Sequence, residues 1–167
     1  MFKIGEFIIY GSNGVCKVDD ICRMSLGGEE KEYYCLLPVN DRSGKIFTPI
    51  DNQKVVMRRI LSAEEANELI DDIPDIEQME IVDERKREAD YKQALLTCDC
   101  RELIKIIKTM YYRKQDRLSR GMKSTVIDDR YLREAENNLY SELSLATGRE
   151  KQEMEQFISK MICVINV

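Results

Sequence analysis

The cysteines are the first residues in this 167-residue sequence whose type invites chemistry: Cys16, Cys22, Cys35, Cys98, Cys100 and Cys163. A thiolate can ligate a metal, attack an electrophile or pair in a disulfide, and each use has its own spacing and setting. Only Cys98 and Cys100 stand close, as a CxC step, and no CxxC pair begins a zinc set. The sequence has no histidine. That excludes imidazole general bases, histidine-dependent triads and histidine-ligated metals. There is no Walker loop, no GxGxxG turn and no GxSxG elbow. These absences point away from an enzyme, a metal centre, a cofactor and a small-molecule substrate. They predict reduced thiols that are buried or incidental.

Charge is the stronger signal, and it is local. Between Lys105 and Lys123 stand Lys105, Lys108, Arg113, Lys114, Arg117, Arg120 and Lys123 against a single acid, Asp116, in a chain of net charge −5. Tyr111-Tyr112-Arg113-Lys114 interleaves aromatic rings with that charge. Such a patch attracts phosphate through counterion release. The competing reading is a solvated helix end, where bases also favour the dipole. A second cluster, Arg85, Lys86, Arg87 and Lys92, is interleaved with Glu84, Glu88 and Asp90 and has the same two readings. Between Ser62 and Glu84 the pattern reverses, with Glu64, Glu65, Glu68, Asp71, Asp72, Asp75, Glu77, Glu80, Asp83 and Glu84 and no base. Nucleic acid repels that stretch, which is expected to be a connector facing away from phosphate. The overall acidity argues against tight, indiscriminate DNA binding.

The elements that must position these residues follow from turn punctuation. Gly5, Gly11, Gly14, Gly27, Gly28 and Gly44, with Pro38 and Pro49, all precede Arg59. Beyond Pro74 only Gly121 and Gly148 remain, so short strands should come first and long helices after. Strands are predicted over Phe7–Tyr10, Val15–Cys22, Tyr33–Val39 and Lys45–Ile50, with turns at Gly11–Gly14, Gly27-Gly28 and Asn40–Gly44. Four or five strands in so short a span suit a small barrel. Ser62-Ala63-Glu64-Glu65 has capping-box spacing and starts a helix that Pro74 ends. A short helix over Ile76–Val82 follows, then one over Arg85–Leu96. Asp99-Cys100-Arg101-Glu102 opens the next, carrying Leu103, Ile104, Ile106, Ile107, Met110 and Tyr111. A long amphipathic helix capped by Asp128 or Asp129 runs to Gly148, and Glu150–Ile162 forms the last. No run of about 18 apolar residues exists, so no membrane span is predicted. Glu6 interrupts any leader, so a cytoplasmic location is expected.

The motif Phe2-x-x-Gly5-Glu6-x-Ile8-Ile9-Tyr10-x-x-x-Gly14-Val15-x-x-Val18-x-x-Ile21 resembles the opening of the CarD/CdnL family of bacterial transcription factors. The likeness continues through Gly28, Tyr33, Leu36 and Thr48-Pro49. It then runs through Tyr91-Lys92, Leu103-Ile104, Tyr111-Tyr112-Arg113-Lys114-Gln115 and Glu142-Leu143-Ser144-Leu145-Ala146. It implies an α+β chain: a Tudor/SH3-like β-barrel that binds RNA polymerase (1–59), an acidic helical connector (60–84) and an all-α, DNA-contacting domain (85–163). The implied partners are the polymerase β subunit, met partly by strand-edge pairing, and promoter DNA, held so that open complexes are stabilised. The resemblance assigns Arg23, Met24, Lys45, Ile46, Phe47 and Pro49 to the polymerase. It assigns Arg85, Lys86, Arg87, Lys92, Tyr112, Arg113, Lys114 and Arg117 to DNA. Two departures matter. Phe47 stands where some relatives place a base, which favours an apolar contact, although barrel core is an equal reading. The sequence has no tryptophan, and the family's groove-wedging tryptophan falls at or near Arg87.

Two further readings stay open. In one the chain is an adaptor that binds polymerase and recruits an acidic protein without touching DNA. In the other Tyr10, Tyr33, Tyr34 and Phe47 line an aromatic cage that reads a modified side chain.

Overall fold

A computed structural model describes residues 1–41 and 44–164, with Cys163 and Val164 as backbone only. Arg42 and Ser43 of the expected Asn40–Gly44 turn, and the Cys163 thiol, lie outside the described residues. The chain divides into two compact units, Met1–Ile60 and Leu61–Val167. Strands precede helices, so the class is α+β.

The first unit is one antiparallel sheet of β1 (Phe7–Tyr10), β2 (Val15–Leu26), β3 (Glu29–Pro38), β4 (Ile46–Pro49) and β5 (Met57–Arg59), in the order β4-β3-β2-β1-β5. Strands β2 and β3 run farther than predicted, out to Leu26 and Glu29. Gly27 and Gly28 join them with φ of 77° and 92°, the left-handed pair that a tight hairpin needs. Gly11 sits at φ 48° in a short 3-10 turn, and a Cβ there would lie 2.6 Å from Val55 Cγ1. Ile8, Cys16, Val18, Tyr34 and Leu36 form the buried centre. The Tyr34 hydroxyl accepts the Phe2 amide at 3.0 Å and so fastens the N-terminal strap. The sheet does not remove its own edges: among the described residues no ladder joins β4 to β5.

The second unit holds α1 (Ala63–Asp72), α2 (Arg87–Leu96), α3 (Cys100–Ser119), α4 (Val126–Thr147) and α5 (Lys151–Val164). The predicted capping box opens α1: Ser62 Oγ accepts from Glu65 N at 3.1 Å, and Glu65 Oε2 accepts from Ser62 N at 2.8 Å. The acidic stretch does not stand apart as a connector. Ala66, Leu69, Ile70, Ile73 and Ile76 share one core with Tyr91, Leu103, Ile104, Leu139, Leu143 and Ile158. Its acids lie on the opposite, wet face.

Two predicted features come out differently. Residues 76–82 are not helical. The buried Lys108 ammonium donates to the carbonyls of Ile73 and Ile76, and Met79 N donates to Thr109 Oγ1 at 2.8 Å. Side chains of α3 thereby satisfy backbone groups that a helix would otherwise pair. The cap of α4 is Thr125, whose hydroxyl accepts from Asp128 N at 3.1 Å, so Asp128 lies inside the helix. Gly148, left-handed at φ 70°, ends α4 as predicted.

Candidate functional site

In the first unit the candidate surface is the β4 edge. The bond from Ile50 N to Glu32 O (3.1 Å) marks residues 32 and 50 as a hydrogen-bonded pair. Antiparallel alternation then makes Tyr34↔Thr48 and Leu36↔Ile46 hydrogen-bonded pairs, and Tyr33↔Pro49 and Cys35↔Phe47 non-bonded ones. The Phe47 N–H and C=O therefore point away from β3, along the open edge. Pro49, which lacks an N–H, occupies the next outward position, where no bond to β3 is lost.

Side-chain alternation sorts the six predicted polymerase residues. Phe47 and Pro49 share a face with Tyr33, Cys35, Cys22 and Met24. Ile46 and Arg23 belong to the opposite face, where Ile46 packs on the buried centre. Phe47 is 48% exposed, so it is not core. Arg23 faces Glu32 at 3.5 Å, and Lys45 Nζ reaches Asp19 at 2.8 Å. Apolar contact on one face, rather than free charge, is what the edge offers. The aromatic cage does not form: Tyr33 and Tyr34 are buried on opposite faces of β3.

In the second unit the sequence signal and the structure part company. Arg113 holds Glu84 in a two-pronged grip, Nη1–Oε1 at 2.7 Å and Nη2–Oε2 at 3.1 Å, while its Nε reaches Asp128 Oδ2 at 3.2 Å. Arg87 lies on the same acids, Nε to Asp128 Oδ1 at 3.5 Å and to Glu84 Oε2 at 3.9 Å, with Nη1 donating to the Glu84 carbonyl at 3.1 Å. Asp128 is buried beneath both. The Arg113 fork holds the Glu84 carboxyl below its usual value, and Glu84 in turn raises Arg113. Burial and the Asp128 charge push the Tyr91 phenol beside them up to about 12. Arg87 and Arg113, assigned to DNA from the sequence, are therefore internally paired. Tyr112 is half-buried in an edge-on contact with Tyr111.

The rest of the basic stretch thins in the same way. Lys108 is buried and serves backbone carbonyls. Lys105 binds Glu102 at 2.7 Å, and Arg120 binds Asp116 at 2.5 Å. Arg117 Nε donates to the Lys123 carbonyl at 2.8 Å. Arg85, Lys86, Lys92 and Lys114 are exposed. Arg85 and Lys86 sit in the turn before α2. Lys114 instead lines a cavity of about 210 Å³ among α3, α4 and α5 with Tyr111, Glu136 and Tyr140. The residues missed from sequence are Glu84 and Asp128. Thr125-Val126-Ile127-Asp128 has capping-box spacing, which would have set the helix start and placed Asp128 one turn in.

Among the described residues no group of three or more Cys, Asp or Glu could hold a metal ion. Burial pushes the Cys16 thiol up to about 11 and raises Cys35. Cys100 Sγ donates to the buried Glu142 carboxylate at 3.1 Å. Cys16 and Cys35 are therefore packing thiols, poor nucleophiles at neutral pH. Among the described residues no helix is long and apolar enough to cross a membrane. Residues 2–61 match the family model described as the CarD-like/TRCF RID domain, a non-enzymatic, RNA polymerase-interacting domain. The match ends one residue beyond the first unit.

Proposed function

For a chain whose residues 2–61 match the CarD-like/TRCF RID domain, we propose a transcription regulator that docks on the polymerase β subunit and stabilises promoter open complexes through its helical unit. The observation that carries the docking half is Phe47: half-exposed on an outer strand, its peptide N–H and C=O facing the open edge. A partner strand added there gains main-chain hydrogen bonds, while Phe47, Pro49 and Met24 supply side-chain selectivity on one face. Such a protein works where polymerase works, in the bacterial cytoplasm.

The DNA half rests on the exposed bases Arg85, Lys86 and Lys92, with the exposed Lys114 and the half-buried Arg117 as further contributors. Tethering to polymerase makes weak phosphate contacts sufficient, because it raises the local DNA concentration. The test is twofold. Phe47→Asp should abolish capture of the β subunit by the full chain. Lys86→Glu with Lys92→Glu should shorten open-complex lifetime while leaving that capture intact. Normal capture by the Phe47 variant would sink the docking half.

The adaptor reading is the alternative: Lys105, Arg113 and Arg120 are ion-paired within the unit and Lys108 is buried on backbone carbonyls, which thins the charge left for phosphate. Under that reading the Lys86 and Lys92 substitutions leave open-complex lifetime unchanged.

A further inference from the structure

The Arg87–Arg113 cluster is built in two layers of different strength. Beneath lies Asp128, its side chain 5% exposed, bridging Arg113 Nε and Arg87 Nε. Outside lies Glu84, its side chain 63% exposed, held by the fork of Arg113. The arginines between them are 22% and 21% exposed, so each keeps an edge in water. Asp128 fixes the two guanidinium groups side by side, and Glu84 covers them.

The cover fits one arginine and not the other. Both Glu84 oxygens are taken by Arg113, which leaves Arg87 Nε at 3.9 Å from Oε2. Arg87 Nε and Asp128 Oδ1 face each other at 3.5 Å, an ion pair that falls short of a hydrogen bond, and the Tyr91 hydroxyl beside them has no hydrogen-bond partner. The Glu84 carboxylate therefore meets Arg87 only at ion-pair distance while it grips Arg113 closely. A phosphodiester carries two non-bridging oxygens in the fork geometry that Arg113 now gives to Glu84. Glu84 stands in an irregular stretch between α1 and α2, so moving it aside breaks no helix.

We propose that the paired guanidinium groups of Arg87 and Arg113 are a backbone-phosphate site, which Glu84 occupies in the free protein and vacates when DNA arrives. This rests on the DNA-contact reading above and explains how that reading survives the internal ion pairs. Glu84 thereby keeps an acidic protein from binding DNA away from polymerase, where phosphate is too dilute to compete.

The test is duplex DNA binding by the full chain over a salt series. Glu84→Gln should bind about five- to tenfold tighter, with a salt slope steeper by about one, the signature of one more phosphate neutralised. Glu80→Gln makes the same charge change at an exposed position in the same stretch, and it should shift affinity less than about twofold. On an Arg113→Gln background, Glu84→Gln should gain nothing. If that background does not fold, Arg87→Gln replaces it. The proposal is overturned if Glu84→Gln and Glu80→Gln behave alike, or if the gain persists without Arg113. If Lys86→Glu weakens binding but Glu84→Gln does not tighten it, the covered site alone is wrong. If no variant binds DNA, even with polymerase present, the DNA-contact reading falls first and the site with it.

Discussion

Replacing Lys108 by methionine tests whether this base serves the fold or a ligand. Lys108 is 2% exposed, and its ammonium donates to Ile73 O, to Ile76 O at 2.5 Å and toward Pro74 O at 3.4 Å. Methionine fills the same channel but leaves two closely bound carbonyls without a donor, at about 1–3 kcal/mol each. Removing a buried ammonium returns part of that. The expected net loss is therefore about 2–3 kcal/mol, or roughly 10 °C in Tm for a domain of this size. Thermal unfolding followed by helical circular dichroism at pH 7 reads it directly. The pH dependence is a second check. Burial holds Lys108 below its ordinary 10.5. Between that lowered value and 10.5 the unfolded chain binds more protons than the folded one, so wild-type stability gains with rising pH through this window. Below it both states are protonated and the full cost of burying the charge is present. The methionine variant lacks this gain, so the gap between the two proteins widens as pH rises. A variant as stable as wild type, or a gap that does not change up to pH 10.5, refutes the reasoning. A solvated phosphate-binding lysine would give the reverse pattern, with Tm unchanged and the salt slope of DNA binding reduced.

Asp128→Asn leaves two half-buried guanidinium groups over a neutral amide. The expected loss is about 2–3 kcal/mol by urea unfolding, below the range for a fully buried pair because both arginines retain some water. Gly11→Ala must place a Cβ 2.6 Å from Val55 Cγ1 at φ 48°, so the first unit should lose about 1–3 kcal/mol; unchanged polymerase capture at 37 °C and unchanged Tm would count against it. Glu84, held below its ordinary 4.5, adds stability above that value and loses it as pH falls through the lowered one. The difference between wild type and Glu84→Gln in acid unfolding should therefore vanish at the acid end.

Helix and strand type were legible because local signals agreed. The Gly27-Gly28 hairpin, the Ser62 capping box and the Gly148 stop each rest on residues within one turn of each other. Residues 76–82 were misread because apolar Ile76, Met79 and Ile81 fit a helical stripe, whereas the groups that unwind them, Lys108 and Thr109, are some thirty residues away. The candidate sites show the same division. Alternation along β4 could have shown that Phe47 and Ile46 part company, but which of them faces water depends on where β3 lies. The basic stretch was legible as a charge count and misleading as a surface, since Glu84 and Asp128 come from two separate segments to meet Arg113. Sequence distance hides counter-charges more thoroughly than it hides helices.

The short outer strand has a consequence for how this protein behaves without its partner. An apolar, half-exposed residue with unpaired amide and carbonyl is the template on which chains aggregate. Here the template is four residues long, and Pro49 provides no donor at its far outward position. A stray strand would gain a donor and an acceptor at Phe47 but only an acceptor at Pro49. The edge can reward a partner whose side chains suit Phe47 and Met24, but it gives little to one that brings only a backbone. A fibril needs only a backbone, so an edge that offers a bare backbone this little is a poor seed for one.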